Sequence, residues 1–171
     1  MLWPGGALVW YQLWMVETVS ANPRPINLRR TWAADLDAAT LYRLLRLRAE
    51  IFVVEQKCAY LDPDGKDLLA ETRHLWLEDD GEIVASLRLL EEHKNGIDSF
   101  HIGRVCTATH ARGHGHTTRL MRAALAEVGA APCHLAAQAY LIDMYARYGF
   151  VVDGPRFLDA GVMHVPMTRG H

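Results

Sequence analysis

Apolar positions along this chain fall into a few blocks with distinct spacing. Ile26 to Trp32 reads as a first strand. Behind it, Leu41, Leu44, Leu45 and Phe52 form one apolar stripe, which predicts a helix packed over a sheet. Asp37 stands where it can cap that helix, and Leu36 with Leu41 has the spacing of a hydrophobic staple. Three strand-like runs follow in hairpin order, His74 to Glu78, Glu82 to Leu90 and Phe100 to Thr107, with Asp80-Gly81 and Asn95-Gly96 as the turn signals between them. Leu120, Met121, Ala124, Leu125 and Val128 then recur at helical spacing, and Gly129 closes that helix. A further apolar strand from Cys133 to Gln138 and a short helix ending in MYARYGF, Met144 to Phe150, complete the pattern.

Between the third run and the second helix lies RGHGHTTRLM, Arg112 to Met121. Glycines at 113 and 115 let the backbone approach an anion, and the unpaired N–H groups of the next helical turn point at it with the helix dipole behind them. Arg112, Arg119 and the neutral-to-cationic His114 and His116 add positive charge at the same end. A P-loop is excluded because no lysine lies here, and a dinucleotide fingerprint lacks its third glycine, replaced by Thr118. Antiparallel hairpins ahead of the loop also argue against a Rossmann unit. The acyl-CoA pattern R/Q-x-x-G-x-G/A is met by Arg112 and Gly115 and departed from at Thr117. A βα turn that uses glycine for sterics alone is the plain alternative.

A second signature, Tyr145, Gly149 and Phe150 in Tyr-x-x-x-Gly-Phe, follows the strand that ends at Gln138. This order resembles the GNAT superfamily of N-acetyltransferases, in which the Arg-x-x-Gly loop joins the fourth strand to the third helix and asparagine often stands at the position of Gln138. The segments Leu47 to Leu69, ETRHLWL, IGRV, AAQAYL and DAGVMHVPM are similar to the ElaA-like branch, and the likeness runs from about Leu28 to Met167. The resemblance implies an α+β (mixed α/β) fold, a mixed but mostly antiparallel sheet with helices on both faces. It also implies acetyl-CoA as co-substrate, an amine acceptor and direct transfer in a ternary complex. The cofactor-binding residues it implies are Arg112, Gly113, His114, Gly115, His116, Thr117 and Thr118 in the loop, Val105, Cys106 and Thr107 on a splayed strand, and Gln138 and Tyr145 beyond. Thr117 would donate a hydrogen bond to the pyrophosphate or crowd it.

Transfer from a thioester to an amine requires a deprotonated nitrogen, stabilisation of the oxyanion and a fate for the leaving thiolate. Tyr145 is the candidate acid, since a phenol can supply a proton to a thiolate held close. A main-chain N–H near Val105 to Thr107 is the candidate oxyanion donor. Glu55 is the first candidate base and His74 the second, with water or a backbone carbonyl as further options. His101 and His164 read as surface or satisfied core histidines. A non-catalytic acyl-CoA-binding or sensing module is the alternative function.

At 171 residues the chain is one domain's worth, from 26 to 169, and needs no metal or disulfide staple. A net charge of -2 and a pI near 6.5 argue against a nucleic-acid partner. Cys58, Cys106 and Cys133 are an odd number at no metal-ligand spacing, which suits a reducing, cytoplasmic setting without a metal. The opening MLWPGGALVWYQLWMV is apolar but too short to span a bilayer, so no stable membrane association is expected. It is open as a translated upstream region with the start at Met15, an atypical export signal or an apolar arm, and Ser20 to Pro25 reads as a linker. A monomer or a homodimer is expected. From Glu55 to Asp67 the chain carries Glu55, Asp62, Asp64 and Asp67 around Pro63 and Gly65, without a calcium-loop pattern. It reads as a solvated acidic loop or, by its place in the resembling fold, as a surface suited to a cationic amine.

Overall fold

The structure is a computed structural model that describes residues 25–94 and 96–170. The N-terminal extension with its alternative start, and Asn95 of the Asn95-Gly96 turn, lie outside the described residues. Among the described residues eight strands form one sheet: β1 (Asn27–Trp32), β2 (Thr72–Asp79), β3 (Glu82–Lys94), β4 (Ile97–Thr107), β5 (Cys133–Gln138), β6 (Val151–Val152), β7 (Phe157–Asp159) and β8 (Val162–Arg169). The order is β1-β2-β3-β4-β5-β8-β6, with β7 paired to β8. Every pairing is antiparallel except β4 with β5.

Among the described residues three α-helices accompany the sheet, α1 (Ala38–Arg48), α2 (His116–Val128) and α3 (Ile142–Ala146). Asp37 caps α1 as its position predicts, accepting from Thr40 N–H at 2.8 Å and from the Thr40 hydroxyl at 2.7 Å. Thr72 to Leu77 on β2 and Ile83 to Leu90 on β3 are buried at every successive position. Side chains alternate between the faces of a strand, so unbroken burial means that both faces are covered. Leu44, Leu47, Leu120, Met121 and Ala124 supply apolar cover from α1 and α2.

Two departures from regular geometry set up the site. β4 and β5 are paired at Phe100 with Cys133 and at His101 with His134, and the strands diverge beyond that point. On its other edge β4 carries a bulge, where Ser86 faces Cys106 and Arg88 faces Gly103, leaving Arg104 and Val105 opposite Leu87 alone. Arg104 takes φ +54° there, a left-handed conformation uncommon outside glycine.

Candidate active site

The glycine turn is built as the spacing requires. Gly113 and Gly115 adopt φ +81° and +75°, and a Cβ at either would meet no atom within 4 Å, so the concave side of the turn is open. α2 starts immediately afterwards with Gly115 as its N-cap, so no side chain caps its first turn. The N–H groups of His116, Thr117 and Thr118 belong to the first turn and have no carbonyl four residues back within the helix. A diphosphate group fits such a cradle. The side-chain charge expected beside it is largely committed elsewhere. Arg112 donates through Nε to Thr107 O at 3.2 Å and through Nη2 to Glu55 Oε2 at 2.9 Å, and Arg119 donates to Ile26 O at 3.0 Å. His116 is buried, stacks on His114 at 5.9 Å and leaves Nδ1 unpartnered. Burial and then the neighbouring His114 and Arg119 hold its pKa below the usual imidazole value. The expectation that His116 adds charge is corrected: it favours the neutral form. Thr117, the departure from the motif, hydrogen-bonds its hydroxyl to that of Thr107 at 3.1 Å, and Tyr148 donates to Thr118 Oγ1 at 3.0 Å.

α1 does not stop at Arg48 but widens into a π-helical stretch, Ala49–Glu55, where Gln56 N–H donates to Ile51 O at 3.0 Å, five residues back. This brings Glu55 to the loop, where it accepts from Thr109 Oγ1 at 2.6 Å as well as from Arg112. Those two hydrogen bonds, Thr109's first, lower its pKa. Glu55 is therefore a tethered carboxylate with weak proton affinity.

The gap between β4 and β5 opens into a cavity of about 450 Å³. Val105, Cys106 and Thr107 line it from β4, Arg112 and Thr117 from the loop, Glu55 from the π-helical stretch, and Gln138 and Tyr145 from beyond β5. Gly113, His114, Gly115, His116 and Thr118 lie outside the lining. Strand N–H groups alternate sides, and Ala108 N–H donates to Val84 O on β3 at 2.8 Å. By that alternation the N–H groups of Val105 and Thr107 face the gap. Cys106 keeps its thiol against Ser86 Oγ at 3.4 Å, and burial pushes its pKa up to about 11, so it is a packing thiol. Tyr145 is 6% exposed and edge-on to Phe150 at 6.3 Å, and burial raises its pKa, which keeps the phenol protonated. Gln138 donates to Gln56 Oε1 at 2.9 Å and accepts from the Tyr140 hydroxyl, joining β5 to the end of the π-helical stretch.

The acidic loop is where the expectation fails. Asp62 and Asp67 are buried and neutralise arginines from three elements. Arg48 donates to Asp62 Oδ2 at 2.8 Å and Asp67 Oδ1 at 2.6 Å; Arg88 donates to both oxygens of Asp64 at 2.7 Å and to Asp67 Oδ1 at 3.1 Å. Arg104 reaches Asp62 O at 3.0 Å and Asp64 Oδ2 at 3.2 Å, and Tyr60 donates to Asp62 Oδ1 at 2.7 Å. Three aspartates meet three arginines, so only Asp64 keeps an exposed carboxylate and none of the three is an uncommitted charge for an amine. His74 belongs to this cluster, with Nε2 2.9 Å from Asp67 O and burial lowering its pKa. It is 2% exposed and absent from the cavity lining, which removes it as a candidate base. His101 and His164 move the opposite way: both line the cavity, His101 at the last pair before the strands part.

Comparison with known proteins shows the family of a chain with this open strand pair, glycine turn and tyrosine. The acetyltransferase (GNAT) domain profile matches residues 61–170. The chain belongs to the GNAT acetyltransferase family. Among its relatives, a UPF0039 protein of Mycobacterium tuberculosis is 63% identical over 143 residues, covering 83% of this chain and 92% of that protein. The ElaA protein of Escherichia coli is 35% identical over 142 residues, 80% of this chain and 91% of ElaA. The crystal structure of ElaA superposes with a TM-score of 0.77 over 85% of this chain and 99% of its own. An acyl-CoA N-acyltransferase from Pseudomonas aeruginosa, 40% identical, reaches a TM-score of 0.80 over 85% and 100% of the two chains. The ElaA-like assignment and the mixed, mostly antiparallel α+β fold therefore stand, and acyl transfer is the activity class of this GNAT chain. No described helix is long and apolar enough to cross a membrane, and no group of three or more His, Cys, Asp or Glu among the described residues could hold a metal ion.

Proposed function

We propose that the chain is an acetyl-CoA-dependent N-acetyltransferase that passes an acetyl group to a primary amine of a small molecule or protein, by direct attack within a ternary complex. The observation that carries this reading is the gap between β4 and β5, which opens between the N-terminus of α2 and the wall formed by Tyr145. In this reading the diphosphate rests on the N–H groups of His116, Thr117 and Thr118, with Gly113 and Gly115 giving it room. His114 and Arg112 flank it, and the Thr107–Thr117 hydroxyl pair contacts the pantetheine arm. The Val105 and Thr107 N–H groups stabilise the oxyanion, and Cys106 sets their spacing through its place in the strand. Tyr145 donates to the departing thiolate, a role that a buried, protonated phenol suits. Gln138 orders the wall beside it. Glu55, the first candidate base, is better read as a positioning residue that fixes Arg112. The three buried, free cysteines support a reducing, cytoplasmic setting.

The test is twofold. Acetyl-CoA at about a hundred times a micromolar dissociation constant should raise the melting temperature, because a ligand bound only to the native state stabilises it by about 2.7 kcal/mol at that ratio. A panel of primary amines should then release free thiol from acetyl-CoA at a rate that depends on the amine. A melting shift without any amine-dependent thiol release would favour a non-catalytic acyl-CoA sensor, and no shift at all would defeat both.

A further inference from the structure

β7 and β8 form a hairpin in which Asp159 pairs with Val162 and Phe157 with His164. Cross-strand partners point to the same face of a hairpin, so Asp159 and His164 share one. That face meets the cavity: Asp159, Ala160 and His164 all line it, on the wall beside Gln138, whose strand partner is His164. His164 is held in a defined state. Its Nδ1 lies 2.9 Å from Val162 O, and a carbonyl can only accept, so Nδ1 carries a proton and Nε2 is the ring nitrogen left for another partner. Phe157 stacks on the ring at 5.8 Å and 27°, fixing its plane.

We propose that the cavity-facing side of the β7–β8 hairpin is the acceptor site for a cationic primary amine, where Asp159 attracts the ammonium and His164 Nε2 takes its proton. This rests on the acyl-transfer reading above and names the group that reading leaves open. The ammonium gives one proton to Nε2, which passes it to solvent. The nitrogen lone pair then forms the N–C bond, the C–S bond breaks and its electron pair leaves on sulfur. Tyr145 protonates that sulfur and regains a proton as the nitrogen sheds its second. The balance is ammonium and thioester in, amide, thiol and one proton out.

The other charged or titratable groups around the cavity compete poorly for this role. Arg104 on β4 is tied to Asp62 and Asp64, and Glu55 to Arg112. Tyr60 and Tyr140 have pKa values raised by burial, so their phenols stay protonated. Cys106 is a buried thiol and Cys58 is also buried. His101 remains the one rival imidazole. Burial lowers its pKa, against the pull of Glu92, and His134 lies 6.3 Å from it.

Two measurements test the site. Long-range ¹H–¹⁵N correlation spectra of the histidine rings, with H164Q for assignment, should give the Nδ1–H tautomer for His164. In the CoA complex, adding a primary amine from the panel should move its ring signals. In steady state, H164Q should lose at least a hundredfold in kcat/KM for the amine and the acid limb of its pH profile. D159N should raise KM for the amine more than it lowers kcat. The acetyl-CoA melting shift should be retained in both variants, which separates failure here from failure of the acyl-CoA reading. An Nε2–H tautomer, ring signals that no amine moves, or H164Q as active as wild type with its acid limb intact would overturn the proposal. So would loss of that limb in H101Q but not in H164Q.

Discussion

The buried charge cluster makes the sharpest prediction about stability. Arg48 is 2% exposed and Asp67 5%, and the guanidinium meets Asp67 twice, at 2.6 and 3.2 Å. In Asp67→Asn the shape remains but Arg48 keeps only Asp62, and Arg88 only Asp64. Removing one partner of a buried ion pair costs about 3–5 kcal/mol, because the remaining charge stays desolvated without compensation. At about 2–4 °C per kcal/mol for a domain of this size, the melting temperature should fall by about 6–20 °C. Burial alone would raise the Asp67 pKa, but the Arg48 hydrogen bond and charge outweigh it and the net shift is downward. A carboxylate with a lowered folded pKa contributes stability above its unfolded value of about 3.9 and loses it as pH falls through the folded value. Asp67→Asn should therefore also flatten the acid side of the stability profile below about pH 4. Urea titrations with an unchanged m value, at two salt concentrations, provide the assay. A loss below about 1 kcal/mol, or one that salt abolishes, would show that the cluster behaves like exposed ion pairs and refute the reasoning.

In Gly115→Asp the new Cβ meets no atom within 4 Å but sits at φ +75°, a strained conformation for a side chain, so the variant should fold with a lowered melting temperature and lose the acetyl-CoA melting shift because a carboxylate would face the diphosphate cradle; a retained shift in the folded variant moves the phosphate site elsewhere. Tyr145→Phe should lower kcat by about a hundredfold or more with little change in KM for acetyl-CoA, as a group acting only on the departing thiolate would; equal rates with chemistry rate-limiting would make Tyr145 a packing residue. His74, whose pKa burial lowers, cannot take a proton without cost in the folded state, so stability should decline as pH falls below about 6.5, the unfolded value. His74→Gln should lessen that decline, and identical slopes between about pH 6.5 and 5 would count against it.

The parts legible in the sequence are those with local causes. β5 runs from Cys133 to Gln138 as its apolar run predicts, α2 ends where Gly129 stands, and the Asp37 cap needs three residues of context. The acidic loop could not be read that way. Its partners lie 14 residues back on α1, 24 ahead on β3 and 42 ahead in the bulge, and no pattern inside the loop distinguishes a solvated aspartate from one awaiting Arg48. The same holds for the two cavity histidines. Placing His164 on a strand leaves its face undecided until the β7–β8 register is known, and His101 gains its position only because β4 and β5 part beside it. The π-helical widening before Gln56 carries no periodic signal distinct from a helix, yet it brings Glu55 to Arg112.

The charge cluster and the open strand pair are one device. Arg104 holds φ +54° at the bulge, a conformation that costs energy outside glycine and persists only where surrounding contacts fix it. Those contacts are Asp62 O and Asp64 of the loop, and the same aspartates are fixed in turn by Arg48 from α1 and Arg88 from β3. The bulge shifts the alternation of β4 by one residue, which turns the Val105 N–H toward the gap instead of toward β3. Four of the six charges, Arg48, Asp62, Asp67 and Arg88, are taken out of water, and burying charge is a poor way to gain stability, since apolar packing of equal volume does as well or better. They are directional, however, and hydrophobic contact is not. A cluster that specifies where the loop, the bulge and α1 meet fixes the direction of the β4 backbone beside the gap, which supplies a physical reason for keeping the cluster where the proposed oxyanion donors are the Val105 and Thr107 N–H groups.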